Sequence, residues 1–424
     1  MARFKQYTIA SVKYSSIHAI AKVVIGNGSY MALGFLANIV AANGLEPIGF
    51  GMLALALALL NVLQEICGSG IDLAMVRLAA PHTKSDPTRA EAIFRAAFRI
   101  KLIANFGIAS LIFVTADWIA QRIYLDATMT PLLRWVSVGL VGTALYNYII
   151  AKFQTQERFD LYAVLRVVGN LSKLILLGIL SLLNAFTPQS VAAAWMGSFF
   201  LSFGIALAFN QRQSEPPSKA PDLPHWIEIV RFGQWVIMSS FLFALYSRTD
   251  LLLLGHFTEA RSVGQYAVAW NLNFVIDLLT YSVIIALLPS AARMATHLEY
   301  QRYFRSTLTV CALLAFLLLP LYFLSDWFFG LLFPDYLQAA EIFRILFIGA
   351  MVTLVVHPVY LVLYARNRVS LLTWINLFLA IFTLLVGVVI IPRFGATGAA
   401  WVTVAGRIFA STMILLFVLR EMRN

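Results

Sequence analysis

The sequence predicts an all-α polytopic membrane protein with about twelve transmembrane helices in two pseudo-symmetric six-helix bundles around a central cavity. The first observation is composition, because 61% of the residues are hydrophobic, 12% are charged and the mean hydropathy is +0.82. A soluble domain carries about 25% charged residues. The second observation is a series of apolar runs of about 20 residues, the length that crosses a bilayer as a helix. They lack the alternating pattern of a membrane barrel.

Each element follows from one such run, bounded by polar or turn-forming residues. In chain order the predicted spans are residues 19–41, 48–66, 102–120, 132–151, 162–183, 190–209, 232–255, 263–288, 306–325, 340–364, 369–391 and 396–419.

The third observation is the distribution of the 31 Lys and Arg residues, which exceed the Asp and Glu residues by 11. The connection after span two alone holds Arg77, Lys84, Arg89, Arg95, Arg99 and Lys101. The opposite side offers only Arg122, Arg261 and Arg393. Because cytoplasmic loops are enriched in Lys and Arg, we expect both termini in the cytoplasm of a multi-pass protein of the bacterial cytoplasmic (inner) membrane. The excess of cations is then explained by the orientation of the protein in the membrane, and it implies no nucleic-acid partner.

The same connection contains a predicted interfacial helix. Ser85-Asp86-Pro87 is typical of an N-cap followed by Pro in the first helical turn. The next residues place Ile93, Phe94 and neighbouring apolar side chains opposite arginines, so a helix lying on the inner leaflet is expected, with a solvated connector as the alternative.

An internal repeat supports two bundles. Ala193-Ala194-Trp195 recurs as Ala399-Ala400-Trp401 at the offset that also separates Asn170 from Asn376. The longest polar stretch lies between these copies, with six spans on each side. We therefore predict an N-terminal bundle over 1–209, a cytoplasmic linker over 210–231 and a C-terminal bundle over 232–424, as parallel halves.

Several motifs resemble bacterial polysaccharide (O-antigen and exopolysaccharide) flippases, the Wzx-like branch of the MOP superfamily. They are LEPIGFG at 45–51, GIDLA at 70–74, RTDLLLLG at 248–255, VGQY at 263–266 and IPRFGATGAA at 391–400. The resemblance implies a carrier that moves an isoprenoid-diphosphate-linked oligosaccharide from the inner to the outer leaflet by alternating access, for surface polysaccharide biosynthesis. The lipid-linked oligosaccharide and membrane lipids are the implied partners, with a polysaccharide polymerase and glycosyltransferases as further candidates.

Charges at membrane depth are the candidate functional residues, because each costs at least about 2.5–3.5 kcal/mol and needs a partner or a wet cavity. Cations predominate, which suits the two negative charges of a diphosphate cargo. The predicted substrate-binding residues are Lys22, Arg166, Asn170, Lys173, Arg248 and Arg407. Lys22 lies a turn before Gly26-Asn27-Gly28, so a weak helix facing a transport pathway and a plain Gly-mediated helix contact both remain open.

Two acidic residues, Asp250 and Asp277, are predicted as coupling-ion or ion-pair candidates. Arg248 and Asp250 diverge by about 200° on a helix, so Asp277 in span eight is the expected partner of Arg248. An ion pair locking spans seven and eight and a titrating carboxyl coupled to H⁺ or Na⁺ both stay open.

The sequence predicts a transporter and no enzyme. It contains no Walker or Rossmann glycine spacing, no HExxH motif and no clustered metal ligands, and it predicts no cofactor. A cation-coupled multidrug or metabolite exporter of the same superfamily is the first alternative, although such exporters favour acidic cavities. An integral-membrane glycosyltransferase or polymerase is the second alternative, and the short outer connections argue against it.

Overall fold

The computed structural model describes residues 2–210, 223–291, 294, 296–366 and 368–423, with side chains described from residue 26 to 209 and, with short gaps, from 225 to 421. Most of these residues are helical, and no strand occurs among them. The helices are α1 Ala2–Gln64, α2 Gly70–Ala79, α3 Pro87–Arg122, α4 Thr130–Thr155, α5 Phe159–Leu182, α6 Pro188–Asn210, α7 Leu223–Phe257, α8 Ala260–Ala291, α9 His297–Phe323, α10 Ser325–Leu332, α11 Ala339–Val356, α12 Leu361–Ala365 and α13 Val369–Arg423. Most of the predicted linker, residues 211–222, lies outside the described residues.

Ten helical segments in the described chain are long and apolar enough to cross a membrane. Two of them, Gly26–His82 with 57 residues and Trp374–Glu421 with 48 residues, are much longer than one crossing requires. At 1.5 Å per residue they extend about 85 and 72 Å along the chain, against about 30 Å of hydrocarbon. Each of these two segments is two helices joined at a kink. The expected all-α membrane fold is confirmed, with ten apolar helical segments in the described chain against about twelve predicted spans.

The two kinks have local causes. In α1, Glu46 has a φ of 56° and precedes Pro47, which disfavours the helical conformation for the residue before it. In α13, Gly395 has a φ of 56° three residues after Pro392. Glycine reaches this left-handed region without a Cβ penalty. Each kink falls at the predicted boundary between two spans.

The predicted helix after Pro87 exists, but the prediction that it lies on the inner leaflet is wrong. Helix α3 begins at Pro87, and the Asp86 carboxylate accepts hydrogen bonds from the Thr88 hydroxyl at 2.6 Å and the Arg89 amide at 3.1 Å, which lower the pKa of Asp86. However, α3 continues for 36 residues, and Ile93 and Phe94 are 1% and 2% exposed. They pack into a protein core with residues of α2, α4 and α5, so they do not face lipid.

The chain forms two compact units. Unit 1 comprises Met1–Gly44, Leu60–Arg122 and Asp126–Ser240, and unit 2 comprises Leu45–Leu59, Ile123–Leu125 and Phe241–Asn424. Unit 1 has its core around Phe94, Ile149 and Phe153. Unit 2 has a core around Val359, Leu379 and Ile414.

The segment 45–59 belongs to unit 2 although its neighbours in sequence on both sides belong to unit 1. It packs there through backbone contacts that only glycine permits. A Cβ on Gly51 would lie 1.9 Å from the Ala260 carbonyl oxygen, and a Cβ on Gly264 would lie 2.0 Å from the Pro47 carbonyl oxygen. The two helices therefore touch backbone to backbone at these positions.

Candidate functional site

Helix α5 carries a polar stripe in unit 1. Arg166, Asn170 and Lys173 follow one another at helical spacings of four and three residues, which places them near one face of the helix. Asn170 is 2% exposed and Lys173 is 5% exposed. The structure thus brings together three of the predicted substrate-binding residues.

Lys173 is buried without a carboxylate. Its Nζ donates a hydrogen bond to Asn170 Oδ1 at 2.9 Å and lies 4.0 Å from the ring centroid of Trp195 and 5.8 Å from that of Phe199. Asn170 is itself held by a 2.5 Å hydrogen bond from its amide nitrogen to the Tyr30 carbonyl oxygen. The ammonium therefore has one neutral acceptor and two aromatic faces as neighbours.

Arg166 has similar surroundings two turns away. One guanidinium nitrogen donates to the Tyr162 hydroxyl at 3.3 Å, and the guanidinium carbon lies 4.7 and 5.4 Å from the ring centroids of Tyr30 and Tyr162. The Tyr162 hydroxyl in turn donates to Asn27 Oδ1 at 3.1 Å. The Nε atom of Arg166 is buried and has no hydrogen-bond partner in the described chain. A buried donor of this kind is costly unless water or a ligand satisfies it.

Among the described residues, no carboxylate belongs to this cluster. Within the part of the chain that the structure describes, neither Arg166 nor Lys173 has an Asp or Glu oxygen within 4.0 Å. In contrast, Lys101 of the same unit is 2.5 Å from Asp72. Unit 1 therefore holds one buried cation, Lys173, and one partly buried cation, Arg166, that no described acid neutralises.

The Gly-rich start of span one behaves as a helix contact. The backbone of α1 is helical there, and a Cβ on Gly26 would lie 2.8 Å from the Ala163 Cα of α5. The break in α1 occurs instead at Glu46. The side chain of Lys22 lies outside the described residues, so its role as a substrate-binding residue stays a prediction.

In unit 2 the structure pairs Arg407 with Asp277. Two guanidinium nitrogens donate to the two carboxylate oxygens at 2.7 and 2.8 Å, and the side chains are 10% and 14% exposed. A bidentate pair of this geometry is among the stronger charged contacts in proteins. The charge of Arg407 is thereby balanced within the protein.

The expected pairing of Arg248 with Asp277 is wrong, and the register of α7 against α8 explains why. The Tyr266 hydroxyl donates to Asp250, which sets these two residues at one level of the antiparallel hairpin. Arg248 then lies near Trp270, and its guanidinium carbon is 4.3 Å from the Trp270 ring centroid. Asp277 is about two turns, or roughly 10 Å, further along α8. Arg248 consequently has an aromatic partner where an acid was expected.

Asp250 accepts several hydrogen bonds in unit 2. Its carboxylate receives one from the Tyr266 hydroxyl, one from Thr403 at 2.8 Å and one from the Leu251 amide at 2.7 Å. It is 4% exposed. The described residues contain no group of three or more His, Cys, Asp or Glu side chains that could hold a metal ion.

Sequence reasoning missed two features of these sites. It placed Lys101 in a cytoplasmic connection, whereas α3 buries its side chain against Asp72. It also assigned no role to the aromatic residues beside the cations. The spacing of Tyr162 and Arg166, four residues apart on one helix face, was an available signal. The rings of Trp195 and Trp270 come from other helices or from the hairpin register, so only the fold reveals them.

The structure is similar to solved structures of membrane transporters. The structure is similar to the lipid II flippase MurJ in an inward closed conformation, with a TM-score of 0.76, 12% identity and coverage of 94% of this chain and 87% of that one. It is equally similar to an inward-facing multidrug resistance MATE family transporter of the MOP superfamily, with a TM-score of 0.77, 12% identity and coverage of 95% and 98%. At 12% identity each likeness establishes the fold alone.

Two archaeal relatives are recognisable in sequence. The "Probable low-salt glycan biosynthesis flippase Agl15" of Haloferax volcanii is 23% identical over 50% of this chain and 46% of its own, so the match spans about half the length of that relative. An uncharacterized membrane protein of Methanocaldococcus jannaschii is 21% identical over 88% of this chain and 78% of its own.

Residues 40–333 match the model of the polysaccharide biosynthesis protein family, and the chain belongs to that family. The resemblance to polysaccharide flippases that the sequence motifs indicate is thereby confirmed.

Proposed function

We propose that this protein translocates isoprenoid-diphosphate-linked oligosaccharides from the inner to the outer leaflet of the cytoplasmic membrane by alternating access, for surface polysaccharide biosynthesis. The family supports a role in polysaccharide biosynthesis, and the fold is that of carriers. The observation that carries the cargo is the pair of unneutralised cations, Arg166 and Lys173, on one face of α5.

The charges of cargo and protein are complementary. A diphosphate ester brings about two negative charges, and an isolated charge costs several kcal/mol to desolvate. Two cations that lack acid partners can offset that cost when the diphosphate is present. The buried amide of Asn170 lies between them and holds Lys173 in place. Arg248 supplies a third cation of this kind in unit 2, whereas Arg407 acts there through its ion pair with Asp277.

Asp250 is our candidate for the residue that binds the coupling ion. It is a buried carboxylate whose donors are two hydroxyls and an amide, so binding of H⁺ or Na⁺ would change its charge without breaking an ion pair. We further propose the orientation that the connecting loops predict, with both termini cytoplasmic. We also propose that the carrier consists of two bundles, 1–209 and 232–424, joined by the cytoplasmic linker. The proposed partners are a polymerase and glycosyltransferases that use the exported glycan.

A multidrug exporter is the competing function, because such transporters share the fold. Exporters of cationic amphiphiles need acidic groups in the membrane to attract their substrates. The partly buried acids Asp72 and Asp277 are instead engaged by Lys101 and Arg407, which leaves Asp250 as the described buried acid without a cation within 4.0 Å. The excess charge in the described membrane region is positive, which favours an anionic cargo.

The test is replacement of the gene in its source organism by variants that carry one substitution. We expect Lys173→Met and Arg166→Gln to reduce surface polysaccharide at least tenfold, measured by quantitative glycan staining, with normal protein levels in the membrane. The matched control is Lys84→Met, because Lys84 is exposed and paired with Glu157. It should leave surface polysaccharide unchanged.

Two results would overturn the proposal. One is wild-type surface polysaccharide in the gene deletion or in both cation variants. The other is loss of ethidium efflux in the deletion with unchanged polysaccharide, which would identify an exporter of organic cations.

A further inference from the structure

Cations at membrane depth fall into two groups by partner. Lys101 and Arg407 are bound by carboxylates, at 2.5 Å and 2.7 Å. Lys173 and Arg248 lie over indole rings, 4.0 Å from the Trp195 centroid and 4.3 Å from the Trp270 centroid. Arg166 belongs to the second group, with two tyrosine rings in the same role.

A carboxylate and an aromatic ring stabilise a buried cation in different ways. A carboxylate removes the net charge, so an incoming anion must compete with it. An aromatic face attracts the cation through its quadrupole and leaves the net charge at +1. Among these five cations, the three over aromatic rings, Arg166, Lys173 and Arg248, are those that no described carboxylate pairs.

We propose that Trp195 and Trp270 are positioning residues that hold Lys173 and Arg248, each in its own unit, without neutralising them, so that each cation can bind a diphosphate group reversibly. The proposal rests on the proposed function and adds the residues that keep its cations exchangeable. The hydrogen bonds in unit 1 agree with it, because the acceptors for Lys173 and Arg166 are an amide and a phenol, both neutral.

Trp270 is further held by its own neighbour. Its ring stacks on Phe274 with centroids 5.3 Å apart and an interplanar angle of 15°. The guanidinium of Arg248 and the phenyl ring of Phe274 therefore both lie against the Trp270 ring. These contacts hold the Trp270 ring beside the guanidinium, and among the described residues no Asp or Glu oxygen lies within 4.0 Å of Arg248.

The experiment compares Trp270→Glu with Trp270→Gln in the full-length purified protein. The two side chains are nearly identical in shape and differ in charge. The probe is farnesyl diphosphate, a short isoprenoid diphosphate, with farnesol as the uncharged reference, and binding is measured by titration calorimetry. We expect Trp270→Gln to weaken farnesyl diphosphate binding about threefold, and Trp270→Glu to weaken it a further tenfold or more, because the new carboxylate occupies Arg248. Thermal stability of the Glu variant should equal or exceed that of the Gln variant.

Trp374 provides the matched control. It lies beside Phe378 at a centroid distance of 6.5 Å and has no cation over its ring in the described chain. Trp374→Glu and Trp374→Gln should bind farnesyl diphosphate equally. If Trp270→Glu does not fold, the pair Trp195→Glu and Trp195→Gln makes the same comparison at Lys173.

The outcomes separate this inference from the function on which it rests. Equal binding by the Glu and Gln variants, together with loss of binding in Arg248→Gln, would overturn the role of the rings and leave the cargo intact. Wild-type binding of farnesyl diphosphate no tighter than that of farnesol would overturn the diphosphate cargo itself.

Discussion

The ion pair between Arg407 and Asp277 should behave as a structural clamp of unit 2. In Asp277→Asn the guanidinium loses its charge partner while remaining nine-tenths buried. Breaking a buried pair by removing one member typically costs about 3–5 kcal/mol. For a unit of roughly 200 residues each kcal/mol corresponds to about 2–4 °C in Tm. We therefore expect Asp277→Asn to lower the Tm of unit 2 by about 6–20 °C.

Replacing both members by apolar residues should restore most of that loss. The double variant Arg407→Met with Asp277→Leu removes both charges, so neither is left desolvated and alone. We expect its Tm to lie within about 4 °C of the wild-type value, which corresponds to about 1–2 kcal/mol. If the pair has no further role, the double variant should also retain surface polysaccharide.

The two buried cysteines make the assay selective. Cys67 lies in unit 1 and Cys311 in unit 2, and both are free thiols. In a Cys67→Ser background, a thiol-reactive fluorescent dye reports the thermal exposure of Cys311 alone. A double variant as unstable as Asp277→Asn, or an Asp277→Asn protein with the wild-type Tm, would refute the clamp.

Two further predictions concern packing and a helix end. Gly264→Ala should reduce the yield of folded protein on fluorescence-detected size exclusion by at least tenfold, because its Cβ would overlap the Pro47 carbonyl; Gly178→Ala, with nothing within 4 Å, should not, and equal yields would contradict the close contact. Asp86→Ala should increase hydrogen exchange in the first turn of α3 at pH 7. Because the pKa of Asp86 is lowered in the folded state, this difference should be present above its ordinary value of 3.8 and vanish as the pH falls through the lowered pKa. A difference that persists in acid would show that the carboxylate is not the cap.

The membrane class and the approximate spans could be predicted because span length and apolar composition are local properties of the sequence. The surface that covers the first part of α3 could not be predicted. Ile93 and Phe94 form an apolar face that suits either lipid or protein, and only the position of α4 determines which surface covers it. An amphipathic pattern reports that a face is buried and leaves its partner open.

The candidate site, too, could be predicted only in part. Arg166, Asn170 and Lys173 share one helix, so their common face followed from spacing alone. The partner of Arg248 depends on the register of two helices, and that register follows from where the turn between Phe257 and Ala260 ends α7. Pairing residues outward from this turn places Asp277 too far along α8 to reach Arg248.

The segment 45–59 has a consequence for how the protein is made. Its backbone contacts in unit 2 involve Ala260 and Gly264, about 200 residues later in the chain. At a synthesis rate of about 5–20 residues per second, those partners emerge roughly 10–40 s after the segment itself. During that interval Gly51 has no backbone to pack against. Helix α1 is therefore synthesised early, but the packing of segment 45–59 is completed only after α8 has been made. The rate of synthesis sets the minimum time for this packing.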